Sequence, residues 1–121
     1  MREGTHCWEE IQKVISKLAE KHTLHLSLYG DNSRRLSGKH ETSNKEVFTH
    51  GVGNRAASVR IPTSTAATKC GYIEDRRPAS DIDPYIVAAA ILDTTILEKS
   101  LIEPLLTHYN TWIEWKLTEK I

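Results

Sequence analysis

The stretch GYIEDRRPASDIDP, Gly71 to Pro84, restricts this chain more than any other segment. It ends in a helix start, because Asp83 is a good N-cap and Pro84 a good first helical residue. The residues that follow, Tyr85 to Leu97, are apolar nearly all round, including Ala88, Ala89, Ala90, Ile91 and Leu92. That pattern predicts a helix buried against a sheet or other helices, anchoring the loop before it. The loop itself holds Glu74, Asp75, Arg76 and Arg77. Arginine presents a rigid fork of donors suited to carboxylate and phosphate, and a neighbouring carboxylate can hold a divalent cation. The same four charges are equally compatible with a solvated turn in which they pair with one another.

A chain of 121 residues is long enough for one core or for a piece of a larger one. Its 39% apolar and 26% charged residues are ordinary for a soluble globular protein. No apolar run reaches the length of a membrane span and no apolar stretch opens the chain as in a signal peptide, so the expected location is cytoplasmic, away from membranes. Cys7 and Cys70, far apart and without a second pair, make neither a disulfide framework nor a zinc knuckle and read as free thiols. The six histidines show no HxxxH pairing, so no histidine metal site is expected.

Net charge is zero, which gives no overall field for nucleic acid. The distribution is uneven, however. Every arginine except Arg2 lies between Arg34 and Arg77, where bases clearly outnumber acids. Arginine is favoured where planar, bidentate anion binding matters, so this middle stretch suits a small anionic ligand, or else forms a basic surface band.

In chain order, Trp8, Ile11, Val14, Ile15 and Leu18 have the spacing of one face of an amphipathic helix over Thr5 to about Lys21. Leu24, Leu26 and Leu28 alternate with His25, Ser27 and Tyr29, predicting a strand that ends in a turn at Gly30. Arg34 to Asn54 is polar, holds Gly38, Gly51 and Gly53, and has no sustained period, so it reads as a long functional loop with Glu41 as a candidate acid or base. Arg55 to Ile61 alternates again as a strand, with Arg60 on the face of Ala56 and Ser58, and Pro62 stops it. The Thr/Ser/Ala run to Thr68 reads as a surface loop. Pro104 can open a further helix with Leu105, Leu106, Tyr109, Trp112, Ile113 and Leu117.

Three segments together, RRLSGKHET at Arg34 to Thr42, GVGNRAASVRIP at Gly51 to Pro62 and GYIEDRRPASDIDPY at Gly71 to Tyr85, resemble the C-terminal part of the catalytic domain of glutamine synthetase, most like the eukaryotic type. The resemblance covers residues 1–97, with a flap loop at about 34–54 and a nucleotide and metal segment at 71–84. Residues 98–121 form a helical tail unlike the family. The fold it implies is α+β, a mostly antiparallel sheet backed by helices, with subunits in oligomeric rings. The implied reaction joins ammonia to glutamate through γ-glutamyl phosphate, with ATP and either Mg2+ or Mn2+. By motif, Arg35 is similar to the arginine that holds the glutamate side chain, and Glu41 to the flap glutamate that closes the site and takes a proton from ammonium. Arg55 resembles the arginine shared by nucleotide and glutamate, and Arg60 one that contacts ATP. Tyr72, Ile73 and Glu74 match the nucleotide-contacting strand, Glu74 doubling as a metal ligand. Arg76 matches the arginine on the reacting anion.

There are departures. Ile73 stands where a phenylalanine is usual, and Thr63 where an arginine is common. The family's upstream domain and its other metal ligands fall before Met1, and one carboxylate is far short of the roughly six oxygens a hard cation needs. The resemblance therefore leaves two functions open. One is the catalytic portion of the enzyme, incomplete in isolation. The other is a truncated, inactive relative that binds nucleotide or complete subunits. A fragment exposing strand edges is expected to be poorly soluble or oligomeric.

Overall fold

The computed structural model describes residues 5–30, 36, 45–104 and 107. Helix α1 spans Cys7–Glu20, and it buries Ile11, Ile15 and Leu18 on one face as the spacing predicts. Glu9 and Glu10 lie in its first turn and Lys17 in its last, where each sign complements the helix dipole.

The next segment corrects the sequence reading. His22–Leu28 is a helix, α2, and not a strand. The alternating leucines do not set its inward face. His22, His25 and Leu28, at helical spacing, are buried instead, while Leu24 and Leu26 are half-buried. Histidine counts as an interior residue here because both rings find partners, and a leucine-only count misses that period.

The sheet has three short strands in the order β1 (His50–Val52), β2 (Val59–Ile61), β3 (Glu74–Asp75). The mixed helix and strand character matches expectation. The sheet is small rather than mostly antiparallel: β1 and β2 run parallel, and only β2 and β3 run antiparallel. Strand β1 lies inside the stretch read as an aperiodic loop. Strand β2 begins at Val59, so Arg55 stands in the preceding turn and not in the strand. Parallel neighbours usually need a crossover of a dozen or more residues. Here only residues 53–58 connect them. Gly53 turns the chain at φ +63°, and Asn54 Oδ1 accepts from the Ala56 amide. Thr49 and Ser58 then exchange hydroxyl bonds with each other's amides, at 3.1 and 3.2 Å. Side chains thus stand in for the missing crossover.

The run after Pro62 is also more ordered than its composition suggests. Thr63–Thr68 forms helix α3, capped at its end by Lys69 in the left-handed region. Thr65 is buried and its hydroxyl donates to the Tyr72 carbonyl at 2.9 Å. The Thr68 hydroxyl bonds the Ser64 and Cys70 carbonyls, closing the helix onto the next loop.

Asp83 caps helix α4 (Pro84–Leu92) as expected, its carboxylate accepting from the amides of Tyr85 and Ile86. The helix continues as a π-helical turn, Asp93–Leu97. It is not buried all round. Val87 and Ala90 face inward, whereas Tyr85, Leu92 and Ile96 are exposed. The Asp93 carboxylate accepts from the amides of Lys99, Leu101 and Ile102, which turns the chain back on itself. Ile102–Pro104 is helical, and most of the helix expected from Pro104 lies outside the described residues.

Two apolar clusters result. One joins Ile11, Ile15 and Leu18 of α1 to Val59 and Ile61 of β2, with Trp8, Phe48, Ala66 and Ile73 around it. The other joins Leu28 and Tyr29 to Val87, Ala90 and Ile102. Among the described residues, no helix is long and apolar enough to cross a membrane.

Candidate functional site

Strand β3 sorts the four charges of EDRR by alternation. Asp75 and Arg77 point inward, Glu74 and Arg76 outward. Arg77 is fully buried, and its guanidinium takes Asp75 bidentately, Nη2 to Oδ2 at 2.8 Å and Nε to Oδ1 at 2.9 Å. The rings of Tyr29 and Phe48 lie 5.2 Å from its central carbon. Its Nη1 donates to His22 Nδ1 at 2.9 Å. Because arginine stays protonated, that ring nitrogen is the acceptor, so Nε2–H of His22 donates to the Lys45 carbonyl.

The same logic orders the rest of the network. The Tyr29 hydroxyl donates to Asp75 Oδ2 at 2.9 Å, so its oxygen accepts from His25 Nδ1–H at 2.7 Å. His25 Nε2 then accepts from the Thr94 hydroxyl, also at 2.7 Å. Both histidines are held neutral. Burial is the main cause for each, and Arg77 repels a second positive charge at both; His25 is lowered to about 4 and His22 falls below its usual value. Burial also pushes the Tyr29 hydroxyl up, with Asp75 adding to it. This network ties α2, β3 and the π turn together between the two apolar clusters. The sequence reading did not single out Asp75 and Arg77 from the loop. The signal was available: in a strand, residues two apart share a face.

On the outer face, Arg60 stands directly opposite Glu74 in the β2–β3 pairing. Arg60 Nη1 lies 3.3 Å from Glu74 Oε2, and Arg76 Nη1 lies 3.2 Å from Glu74 Oε1. The Arg76 amide donates to the Ser58 carbonyl, which fixes its backbone against the start of β2. All three side chains are partly exposed, so each ion pair contributes roughly 0.2–1 kcal/mol. Its value is positional: the carboxylate holds two guanidiniums side by side that would otherwise repel. Arg60 Nε is buried without a hydrogen-bond partner, an uncommon state for a guanidinium donor.

The remaining candidates are placed as follows. Arg55 is exposed in the turn before β2. Tyr72 is 54% exposed and borders a cleft of about 410 Å³ with Ser64, Thr65, Thr68, Cys70 and Gly71. Ile73 points the other way, packing on the α1–β2 cluster and lining a cleft of about 470 Å³ with Val14, Leu18, Asp75, Ile91 and Ile96. Arg35 and Glu41 lie outside the described residues.

The described residues fit an anion better than a metal ion. No group of three histidine, cysteine or carboxylate side chains that could hold a metal occurs among them. Both oxygens of Glu74 already accept from arginine, and a hard cation takes about six oxygen ligands. Glu74 alone therefore does not form a metal site.

No protein-family model matches this sequence. Individual relatives do. Over 90 residues, or 74% of this chain, it is 52% identical to a glutamine synthetase of Amanita muscaria, covering 25% of that protein. It is 50% identical to glutamine synthetase PR-1 of Phaseolus vulgaris over 93 residues, 76% of this chain and 26% of the relative. With the Schizosaccharomyces pombe glutamine synthetase it shares 53% identity over 85 residues, 69% of this chain and 24% of the other. The chain thus spans about a quarter of the length of the relatives it matches. Such identity to fungal and plant proteins, over a stretch that contains β2, β3 and their outward arginines, places these 121 residues in the glutamine synthetase family, as part of a glutamine synthetase.

Proposed function

We propose that this chain contributes the anion-binding wall of an ATP-dependent ligase that joins ammonia to glutamate through γ-glutamyl phosphate. The observation that carries the reading is the outward triad, Arg60–Glu74–Arg76, with one Arg60 donor left over. Phosphoryl transfer to a carboxylate gathers negative charge, and preformed cationic donors supply most of its stabilisation. Arg60 and Arg76 would take oxygens of the transferring phosphate and the reacting carboxylate. Incoming anions compete with Glu74 for the same donors, which would free its carboxylate. Arg55, on its exposed turn, would add a contact shared by nucleotide and glutamate, with Arg35 holding the glutamate side chain. Glu41 would take the ammonium proton, and the backbone of Tyr72 and Ile73 would border the nucleotide. Mg2+ or Mn2+, where bound, supplies charge neutralisation at the phosphates, with Glu74 as one ligand among several. The proposal includes a cytoplasmic, oligomeric enzyme in which residues 1–97 form the catalytic part and 98–121 a separate tail.

A second reading rests on the single carboxylate: a subunit that binds nucleotide or complete subunits without turnover. Formation of γ-glutamyl hydroxamate from glutamate, hydroxylamine, ATP and Mn2+ separates the two. The ligase reading expects activity in a complex with complete subunits that falls when Arg76→Ala chain is substituted. ATP binding by the chain, with no change in turnover from Arg76→Ala in the complex, would sink it.

A further inference from the structure

Tyr29, fully buried at the end of α2, grips the segment that carries Arg76 at two points. Its hydroxyl donates to Asp75 Oδ2 at 2.9 Å, and its carbonyl accepts from the Ala79 amide, also at 2.9 Å. Arg76 and Arg77 lie between those anchors. The hydroxyl is itself aimed, since His25 Nδ1–H donates to it at 2.7 Å and Thr94 holds the far nitrogen of that ring. Arg77 clasps Asp75 from two residues away, its amide and Nε donating to Oδ1 and its Nη2 to Oδ2. So local a clasp stiffens the segment but travels with it. Tyr29 reaches the same carboxylate from another helix and fixes where the clasp stands. On the outer side, the Arg76 amide donates to the Ser58 carbonyl at 2.9 Å, and Glu74 holds Arg60 and Arg76 together. Strand β3 is two residues long, so a shift of Asp75 passes to Glu74 and to Arg76 through one planar peptide unit each.

We propose that Tyr29 is a positioning residue for Arg60 and Arg76: its hydroxyl, by holding Asp75 from within, sets the outward guanidiniums at the spacing that receives an anion. Tyr29 meets no ligand and acts through Asp75. The inference rests on the ligase reading for the identity of the anion, while the placement of the two arginines is measurable without any ligand. Groups that orient ligand-contacting residues change affinity by roughly ten- to hundredfold when they are removed from metal sites, and the lower figure suits a single hydroxyl acting through one carboxylate.

The test compares the full chain with Tyr29→Phe at neutral pH. Phenylalanine keeps the ring beside Arg77 and in the second apolar cluster and deletes the hydroxyl. Nitrogen–proton NMR follows two reporters, the buried Arg60 Nε–H and the Arg76 amide, with ATP titrated by calorimetry alongside. Both reporters are expected to shift in Tyr29→Phe, and ATP affinity to fall roughly tenfold. His25→Leu removes the donor that aims the hydroxyl and should move the same two signals in the same direction. Val87→Ala thins the cluster around Tyr29 but leaves its hydroxyl, so it should lower the melting midpoint without moving them. Unmoved reporters in Tyr29→Phe, equal movement in Val87→Ala, or unchanged ATP affinity beside a wild type that binds would each overturn the proposal. A wild-type chain that takes up no ATP counts against the ligase reading instead, and the two reporters then decide the positioning role alone.

Discussion

Acidification from about pH 7.5 to about pH 5 should destabilise this protein through His25. The ring is fully buried between Tyr29 and Thr94 and can stay in place only while neutral. Burial is the main cause that depresses its folded pKa to about 4, from the 6.5 of an ordinary imidazole. For a base lowered in this way, the unfolded state binds the proton first. Stability is therefore full above pH 6.5 and is lost as pH falls from 6.5 towards 4. Linkage over that interval gives a loss of about 2 kcal/mol by about pH 5 from His25 alone, with His22 adding in the same direction. Ordinary carboxylates titrate near pH 4, at the lower end of this window, so histidines carry most of the slope down to about pH 5. Urea melts across the range measure it, and the His25 ring resonance reports its own midpoint. A ring that titrates near 6.5 in the folded chain, or equal stability at both ends, would refute the reasoning. His25→Gln should flatten the slope without abolishing the share due to His22.

Arg77→Met leaves Asp75 buried without its guanidinium and should cost roughly 3–5 kcal/mol, enough to unfold much of the population in a urea melt. Asp83→Ala removes the cap of α4 and should cost about 1 kcal/mol, visible as a lower urea midpoint with an unchanged slope. Arg60→Ala should abolish ATP binding measured by calorimetry while leaving the melt nearly unchanged, since its ion pair is partly exposed.

The parts of the fold that were readable in sequence were those set by local chemistry: the apolar face of α1, the Asp83-Pro84 start of α4, and the stop at Pro62. What failed was decided by partners far away. The leucine alternation at residues 24–28 lost to two histidines whose bonds reach Tyr29, Lys45, Thr94 and Arg77. Strand β1 has no period of its own, because parallel pairing with β2 and the Thr49–Ser58 exchange define it. Helix α3 is built from hydroxyls bonding backbone carbonyls, which propensity undervalues. Of the candidate site, sequence pointed to Arg60, Glu74 and Arg76, and the structure brings these three together. It could not say that the adjacent Asp75 and Arg77 serve the interior, since that follows only once β3 is known to be a strand.

That division has a consequence for how the segment tolerates change. Parity along EDRR assigns each charge to its side, so the outer triad does not choose its own register. The buried Arg77–Asp75 pair does, because a slip by one position would put Arg76 and Glu74 into the pocket between Tyr29 and Phe48 and strand the other two in solvent. Adding or deleting a single residue within Glu74 to Arg77 therefore reverses inside and outside at once. The interior pair acts as a phase lock, and the outward arginines inherit their position from two residues inside the fold.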